Sequence, residues 1–320
     1  MVERKKVLVT RDLPGDALSQ LKGVSDFLIE PPTQPLSRER LLEVIPKADA
    51  LICLLSETID QTVMDRAKNL KVISNYAVGY NNIDLEYATQ KGIYVTNTPD
   101  VLTEATADLA WALMLAAARR VVEGDKMVRS GNFKGWTPDL LLGSEVYGKT
   151  LGVIGLGRIG SAVIKRAKGF GMPVIYWSRE KKTGFKEQLD LEYMSLPELL
   201  KKADFISVNV ALTPQTRHLI GQKEFSLMKK NAIIVNTARG PIIDEEALAE
   251  ALKTGLIKAA GLDVYENEPD INPELRELDN VVFTPHVGSG TEETRAKMAQ
   301  MVVDDVLLVL KGQKPLHAIN

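Results

Sequence analysis

Residues 150–179 read TLGVIGLGRIGSAVIKRAKGFGMPVIYWSR, which is an apolar strand, a glycine-rich turn, a helix and a second apolar strand. Gly155 permits the tight turn, Gly157 lets backbone approach a pyrophosphate, and Gly160 lets the helix pack closely on its strand. The helix N-terminus offers unpaired N–H groups to the anion. Glycines also mark turns that bind no ligand, but the flanking strands and helix are the context that a dinucleotide motif requires. The segment therefore predicts a dinucleotide-binding fold.

The end of the second strand bears on the choice between the two nicotinamide dinucleotides. NAD-binding sites usually place an acidic residue there, where it binds the ribose 2′-hydroxyl. This chain has Ser178, Arg179 and Glu180 instead. A hydroxyl and a guanidinium can bind a 2′-phosphate through charge-assisted hydrogen bonds, whereas a carboxylate at position 178 would repel it. We therefore expect NADP(H) to be favoured. NAD(H) is the alternative if Arg179 is a solvated surface cation and Glu180 binds the ribose.

Length and composition exclude several classes of protein. At 320 residues the chain is long for a single core and predicts two domains. Its net charge of −2 provides no basic field for nucleic acid, and its single cysteine, Cys53, excludes an intrachain disulfide. The longest apolar run, Leu109–Ala118, falls short of the ~18 residues that cross a bilayer. We expect a cytoplasmic protein that binds neither nucleic acid nor membrane and uses no metal.

Apolar strand-like runs alternate with helical segments along the chain, which predicts βαβ units on parallel sheets. The expected fold class is α/β, with two Rossmann-like, doubly wound parallel-sheet domains and an active-site cleft between them. We place the substrate-binding (catalytic) domain at residues 1–99 plus 289–320 and the dinucleotide-binding domain at residues 100–288. The predicted strands are Val7–Thr10, Phe27–Ile29, Ala50–Leu55, Val72–Asn75, Ile93–Thr96, Val153–Ile154, Val174–Trp177, Phe205–Val208, Ala232–Asn236, Ala259–Asp263 and Val281–Thr284.

A long helical pattern, Thr103–Val128, precedes the glycine motif, and a last helix is predicted over Glu292–Leu310. The first half of the long helix is apolar around most of its circumference, which suits a helix buried between two layers or two subunits. A monomer of this size would have difficulty covering that surface. We therefore expect the helix and the following loop, residues 103–146, to form the two-fold interface of a homodimer. In the alternative, the loop packs on its own subunit.

Three side chains suited to acid–base chemistry follow predicted strands in the second half: Arg239, Glu268 and His286. In an open parallel sheet, ligands bind outside the carboxyl ends of the strands, so all three would face the dinucleotide. A cation for an anionic substrate, an imidazole and a neighbouring carboxylate together form a candidate catalytic site. Each residue also has a purely structural interpretation. Arg239 could be a cation that flanks a helix, Glu268 a charged residue of a loop, and His286 a histidine whose hydrogen bonds are made within the fold. Asp263 ends a strand and is expected to bind a cofactor amide, or else merely to terminate the strand.

Four segments carry a resemblance to a known family. In their order and spacing, GLGRIG (155–160), TARG (237–240), GLDVYENEP (261–269) and TPHVGS (284–289) resemble the D-isomer-specific 2-hydroxyacid dehydrogenases. VGYNNID (78–84) and DVLTEATADLA (100–110) extend the resemblance over essentially the whole chain. Within the family, LGRIG followed by WSR is most similar to the glyoxylate/hydroxypyruvate reductases.

The resemblance implies NAD(P)H-dependent reduction of small 2-oxo acids, such as glyoxylate and hydroxypyruvate, by hydride transfer. His286 would be the acid and base with Glu268 as its partner, and it would also contact the substrate. Arg239 and the N–H groups of Val78 and Gly79 would bind the substrate carboxylate. The implied cofactor contacts are Thr106, Gly155, Leu156, Gly157, Arg158, Ile159, Gly160, Ser178, Arg179, Glu180, Thr216, Thr237, Ala238, Arg239, Asp263, His286 and Gly288.

Two alternatives stay open. Some relatives are transcriptional corepressors that bind the dinucleotide as a conformational sensor and keep the same three residues, although they need a peptide-docking surface. A related dehydrogenase acting on another 2-hydroxy acid is the second alternative. An assay with glyoxylate and NADPH separates a corepressor-like protein from an enzyme, because a binding protein would show negligible turnover.

Overall fold

The computed structural model describes residues 4–22, 25–29, 36–181 and 191–320. The chain forms two compact units, and the first consists of Met1–Leu102 together with Ser289–Asn320. The second unit is Thr103–Gly288. The first unit is therefore assembled from two separate parts of the sequence, whereas the second is continuous.

Twelve strands in the described part of the chain form two sheets, and all pairings between these strands are parallel. They are β1 (Lys5–Val9), β2 (Ser25–Ile29), β3 (Ala50–Cys53), β4 (Val72–Asn75), β5 (Tyr94–Thr96), β6 (Leu151–Ile154), β7 (Val174–Trp177), β8 (Glu192–Tyr193), β9 (Phe205–Val208), β10 (Ile233–Asn236), β11 (Ala259–Leu262) and β12 (Val281–Phe283). The sheet of the first unit has the order β2-β1-β3-β4-β5, and that of the second has the order β12-β11-β10-β9-β6-β7-β8. The prediction of an α/β fold with two doubly wound parallel sheets is confirmed.

Eleven α-helices connect or cover these strands in the described residues. They are α1 (Arg38–Val44), α2 (Gln61–Arg66), α3 (Leu85–Gln90), α4 (Thr103–Arg119), α5 (Val121–Arg129), α6 (Arg158–Ala167), α7 (Leu196–Lys202), α8 (Gln222–Phe225), α9 (Glu245–Lys253), α10 (Pro273–Arg276) and α11 (Glu292–Leu310). Aspartates at the N-cap positions determine where several of these helices begin, because their carboxylates accept hydrogen bonds from N–H groups of the first turn. Asp244, for example, accepts the Ala247 N–H at 3.0 Å. None of the helices in the described ranges has the length and apolarity needed to cross a membrane.

The central strands are buried along their whole length, which explains why they are visible in the sequence as continuous apolar runs. Every residue of β3, β4, β6, β9, β10 and β11 is buried. Strands of a parallel sheet are covered by helices on both faces and so lose the alternation of polar and apolar residues. The short strand β8 was not predicted, because its two residues, Glu192 and Tyr193, carry no such run.

The predicted single helix Thr103–Val128 is wrong, because the structure has two helices there. Arg120 separates α4 from α5 with a left-handed φ of 54°, and its guanidinium pairs with the carboxylate of Glu123. No glycine or proline marks the break, so nothing in the sequence pattern indicated it. The apolar residues of α4 are largely covered within their own unit, where the helix packs on β10, β11 and α6. In contrast, no residue of α5 is buried.

Residues 313–320, which we call the C-terminal segment, run along β5 at the edge of the first sheet. Ala318 forms an antiparallel bridge with Thr96, and the Ile319 N–H donates to the Val95 carbonyl at 2.9 Å. The fully buried carboxylate of Asp305 in α11 binds the segment through the N–H of Leu316 at 2.7 Å. The same carboxylate lies 2.9 Å from Nδ1 of His317.

Candidate active site

The glycine turn connects β6 to α6 in the second unit. Gly155 has a φ of +103°, and a Cβ there would lie 2.7 Å from the backbone of Asn209. A Cβ at Gly160 would lie 2.1 Å from the carbonyl oxygen of Gly155. The fold itself therefore requires these two glycines. A Cβ at Gly157 would have no heavy atom of the described residues within 4 Å, so this exposed N-cap leaves room for a ligand.

The residues around these glycines frame the start of α6. Leu156 is buried, Ile159 is half-buried, and Arg158 is exposed at the first position of the helix. The glycine turn follows β6 at the point where the sheet order reverses between β6 and β9. Open α/β sheets bind ligands at such a switch point. The arrangement fits a pyrophosphate at the N-terminus of α6.

At the end of β7, the cation of Arg179 is exposed to solvent, and no carboxylate is buried among residues 178–180. Ser178 is buried, and its hydroxyl donates to the carbonyl oxygen of Glu180 at 2.5 Å. The side chains of Arg179 and Glu180 are exposed. Because the Ser178 proton is used within the turn, Arg179 is the better placed of the two predicted groups for a phosphate.

Arg239, Glu268 and His286 follow β10, β11 and β12, so they lie at the carboxyl edge of one sheet. Nδ1 of His286 lies 2.7 Å from Oε2 of Glu268, and Oε1 of Glu268 accepts the Tyr265 N–H at 3.0 Å. Burial raises the pKa of Glu268. The hydrogen bond and charge of His286, together with the Tyr265 N–H and Arg239, outweigh burial and hold that pKa below its usual range. The carboxylate is therefore ionised at neutral pH.

Arg239 lies half-buried in the loop after β10. Burial lowers the pKa of its guanidinium, and the negative charge of Glu268 partly offsets this. The loop is fixed by Asn236, whose side chain donates to the Arg239 carbonyl and accepts the Ala238 N–H, both at 3.0 Å. Gly240 packs so closely that a Cβ would overlap the Tyr265 carbonyl group. The loops that carry Arg239 and Glu268 are thus held against each other.

Asp263 holds the loop that carries His286. Its carboxylate accepts the Val287 and Gly288 N–H groups, both at 2.8 Å, and the Thr284 hydroxyl at 2.6 Å. Burial raises the pKa of Asp263, although these hydrogen bonds oppose the rise. His286 has a left-handed φ of 54°, a conformation that costs roughly 1–3 kcal/mol and persists only where the surroundings impose it. Asp263 therefore has a visible positioning role, and its contact with a cofactor amide stays a prediction.

The structure brings some of the remaining predicted cofactor residues together. A Cβ at Gly288 would lie 3.2 Å from the Asp263 carboxylate and 3.4 Å from the methyl group of Thr106. Thr237 is buried beside Ala238 in the loop after β10. Thr216 is also buried, and its hydroxyl donates to the Ala211 carbonyl at 2.7 Å.

Val78 and Gly79 lie in the first unit, in the loop after β4, and both are half-buried. Their carbonyl oxygens accept hydrogen bonds from the side chains of Asn97 and Asn75, both at 2.7 Å. Sequence analysis did not single out these asparagines or Asn236. For Asn236, the sequence offers a signal that could have been used, because this residue is the one polar residue of an otherwise apolar strand.

The sheet order, the glycine turn and the residues at the carboxyl edge define a dinucleotide-binding α/β protein. The family model described as "D-isomer specific 2-hydroxyacid dehydrogenase, NAD binding domain" matches residues 111–288. The chain is 49% identical over 99% of its length to a glyoxylate reductase of Thermococcus gammatolerans, covering 96% of that relative. The chain belongs to the D-isomer-specific 2-hydroxyacid dehydrogenase family.

Solved structures of similar proteins agree with this assignment. A crystal structure of a Thermus thermophilus protein has a TM-score of 0.93 at 47% identity, covering 98% of this chain and all of that one. An NADPH-dependent glyoxylate/hydroxypyruvate reductase of Sinorhizobium meliloti, in complex with NADP and malonate, has a TM-score of 0.88 at 30% identity. The alignment covers 99% of this chain and 97% of that one.

Proposed function

We propose that this protein reduces small 2-oxo acids, such as glyoxylate and hydroxypyruvate, to 2-hydroxy acids with NADPH as the preferred hydride donor. The observation that carries the proposal is the contact of 2.7 Å between His286 and an ionised Glu268. Arg239 lies at the same edge of the sheet as this pair, and so does the glycine turn. Family membership and the names of similar proteins support the same reaction.

The roles of the residues follow from what reduction of a ketone demands. NADPH, when bound, supplies a hydride for the carbonyl carbon. Glu268 holds Nδ1 of His286 and favours the protonated imidazole, which leaves Nε2 to donate a proton to the carbonyl oxygen. Arg239 stabilises the negative charge that develops on that oxygen. His286 returns to the protonated state by taking a proton from water before the next turnover.

We assign the second unit to the dinucleotide and the first unit to the substrate. In the second unit, Gly155–Gly160 would bind the pyrophosphate, and Arg179 would bind the 2′-phosphate that distinguishes NADPH from NADH. In the first unit, the N–H groups of Val78 and Gly79 would bind the substrate carboxylate. The exposure of Arg179 and of the open side of Gly157 supports the first part of this assignment.

We also propose that the protein is a homodimer through α5 and the loop that follows it. This stretch exposes large apolar side chains that a monomer would leave in water. They include Val121, Val128, Phe133, Trp136, Leu142 and Tyr147. The surface expected to meet the partner is therefore this stretch, and not the first half of the predicted long helix.

Steady-state assays with glyoxylate, hydroxypyruvate, NADPH and NADH test the proposed reaction. His286→Asn should lower kcat roughly 10²–10⁴-fold, because proton transfer contributes about that much, while the KM for NADPH stays unchanged. Asparagine tolerates the left-handed backbone of His286. His218→Asn is a matched control, because His218 also has a left-handed φ, 47°, and lies 2.6 Å from a carboxylate, that of Glu266.

The control variant should keep a kcat close to that of the wild type. Equal losses in the two variants would contradict the role of His286. Negligible turnover by the wild type with every 2-oxo acid and both cofactors would contradict the proposed reaction and favour a dinucleotide-sensing binding protein.

A further inference from the structure

Three consecutive carbonyl groups in the loop after β4 each accept a hydrogen bond from a fixed donor of the first unit. The Ala77 carbonyl accepts the Thr98 N–H at 2.9 Å. The Val78 carbonyl accepts from Nδ2 of Asn97, and the Gly79 carbonyl accepts from Nδ2 of Asn75, both at 2.7 Å. Two of these three donors are side chains, so substitution can remove them without changing the backbone.

The three carbonyl contacts fix the orientation of the N–H groups of Val78, Gly79 and Tyr80. In a trans peptide the C=O and N–H groups point in opposite directions, and these peptides are trans. The N–H groups are therefore turned away from the three donors. No acceptor for them lies within the described ranges of the chain. Backbone N–H groups left without an acceptor in a loop can donate to a bound anion.

We infer that Asn75 and Asn97 are positioning residues, which hold the N–H groups of Val78, Gly79 and Tyr80 as a cradle for the carboxylate of the substrate. The inference rests on the proposed function, which assigns that carboxylate to Val78 and Gly79. It adds the Tyr80 N–H as a third donor and the two asparagines as the cause of the orientation. A neutral amide is suited to this task because it donates to a carbonyl without adding a charge beside the anion.

The two asparagine side chains are themselves held in place. Asn75 is fully buried, and its Oδ1 lies 3.4 Å from Nδ2 of Asn82, which also donates to the Leu54 carbonyl at 3.1 Å. Asn97 is 7% exposed, and its backbone N–H donates to the His317 carbonyl at 3.4 Å. The cradle is therefore supported by the loop after β3 on one side and by the C-terminal segment on the other.

Asn97→Asp tests the inference because it keeps the size of the side chain but replaces the donor with an acceptor. The KM for glyoxylate should rise roughly tenfold, the size expected when one ordering hydrogen bond is lost. The change in kcat should be smaller, and the KM for NADPH should not change. Asn75→Asp should have the same effects. Asn280→Asp is the matched control, because its Nδ2 also donates to a backbone carbonyl, that of Lys258 at 3.0 Å, but lies in the second unit.

A binding measurement separates this inference from the proposed reaction. Oxamate, which resembles a 2-oxo acid but is not reduced, is titrated calorimetrically into protein saturated with NADPH. Its affinity should fall roughly tenfold in the Asn97 variant and stay unchanged in the Asn280 variant. In the wild type, amide hydrogen exchange at residues 78–80 should slow when oxamate is added.

Each contrary result has a distinct meaning. Unchanged oxamate affinity in a folded Asn97→Asp protein overturns the inference and leaves the proposed reaction intact. Oxamate that binds the wild type without slowing exchange at residues 78–80 also overturns it, and this result requires no variant to fold. A wild type that neither reduces a 2-oxo acid nor binds oxamate overturns the proposed function and the inference together.

Discussion

At the scale of single residues, the second unit contains two histidine–carboxylate pairs whose surroundings differ. His286 meets Glu268 beside the half-buried Arg239, in a loop held by Asp263. His218 meets Glu266, which also pairs with the exposed Arg217 at 3.0 Å. Arg239 is shielded from water, which strengthens its effect on a developing oxyanion, whereas Arg217 is exposed, so we expect only the first pair to affect the reaction.

We predict that Glu268→Gln shifts the pH dependence of glyoxylate reduction. The lowered pKa of Glu268 keeps the wild-type carboxylate ionised well into the acid range, so it favours a protonated His286. Reduction consumes that proton and is lost as the pH rises. Without the negative charge, the alkaline loss of kcat/KM should occur at a lower pH. Glu266→Gln is the matched control, and an equal shift in both variants would contradict the assignment.

A second prediction at this scale concerns Arg179. Arg179→Ala should raise the KM for NADPH with little change in kcat, because the 2′-phosphate is remote from the reacting carbon and contributes uniform binding. The constants for NADH should change little. Lys202→Ala is the control, because this exposed cation ends α7 at the opposite edge of the same sheet. NADPH constants that do not respond to Arg179→Ala would rule out its contact with the phosphate.

At the scale of secondary-structure elements, the sequence was informative wherever burial on both faces produced a continuous apolar run. Such runs predicted β4, β7 and β9 to the residue, and the amphipathic pattern of Glu292–Leu310 did the same for α11. The break at Arg120 was missed because its cause is a left-handed backbone at an ordinary residue, stabilised by a local ion pair. Asn75 and Asn97 were missed for a related reason, since their role depends on carbonyl positions that only the folded loop defines.

We predict that Asp305 stabilises the edge of the first sheet by holding the C-terminal segment. Asp305→Asn should lower the free energy of unfolding by about 1–3 kcal/mol, because the N–H of Leu316 and the ring of His317 lose a buried charged acceptor. Urea denaturation measures this loss. Asp304→Asn is the neighbouring control, since Asp304 is only half-buried and binds the Gln300 side chain. Equal stability of the two variants would contradict the role of Asp305.

At the scale of the whole molecule, the proposed homodimer predicts a sedimentation mass of about twice the 35.3 kDa of one chain. Trp136 is 81% exposed in a single chain, and we expect the dimer to bury it. Trp136→Asp should shift the sedimentation mass towards that of the monomer, because the aspartate would place a charge in the interface. Leu316→Asp is the control, with an apolar side chain that is 74% exposed but lies in the first unit. A wild type that sediments as a monomer would contradict the proposal.

The division of the first unit between two parts of the sequence has a consequence for how the chain folds during its synthesis. Residues 1–102 are synthesised before the second unit. In contrast, α11, which packs on β3 and β4, and the C-terminal segment, which pairs with β5, are synthesised after it. Because the second unit is continuous, it can fold before α11 of the first unit has been synthesised. At about 5–20 residues per second, synthesis of the residues after 102 takes on the order of 10–40 seconds. During this time α11 is not yet present to cover one face of the apolar first sheet. We therefore expect the nascent first unit to be the part of this protein most prone to aggregate during synthesis.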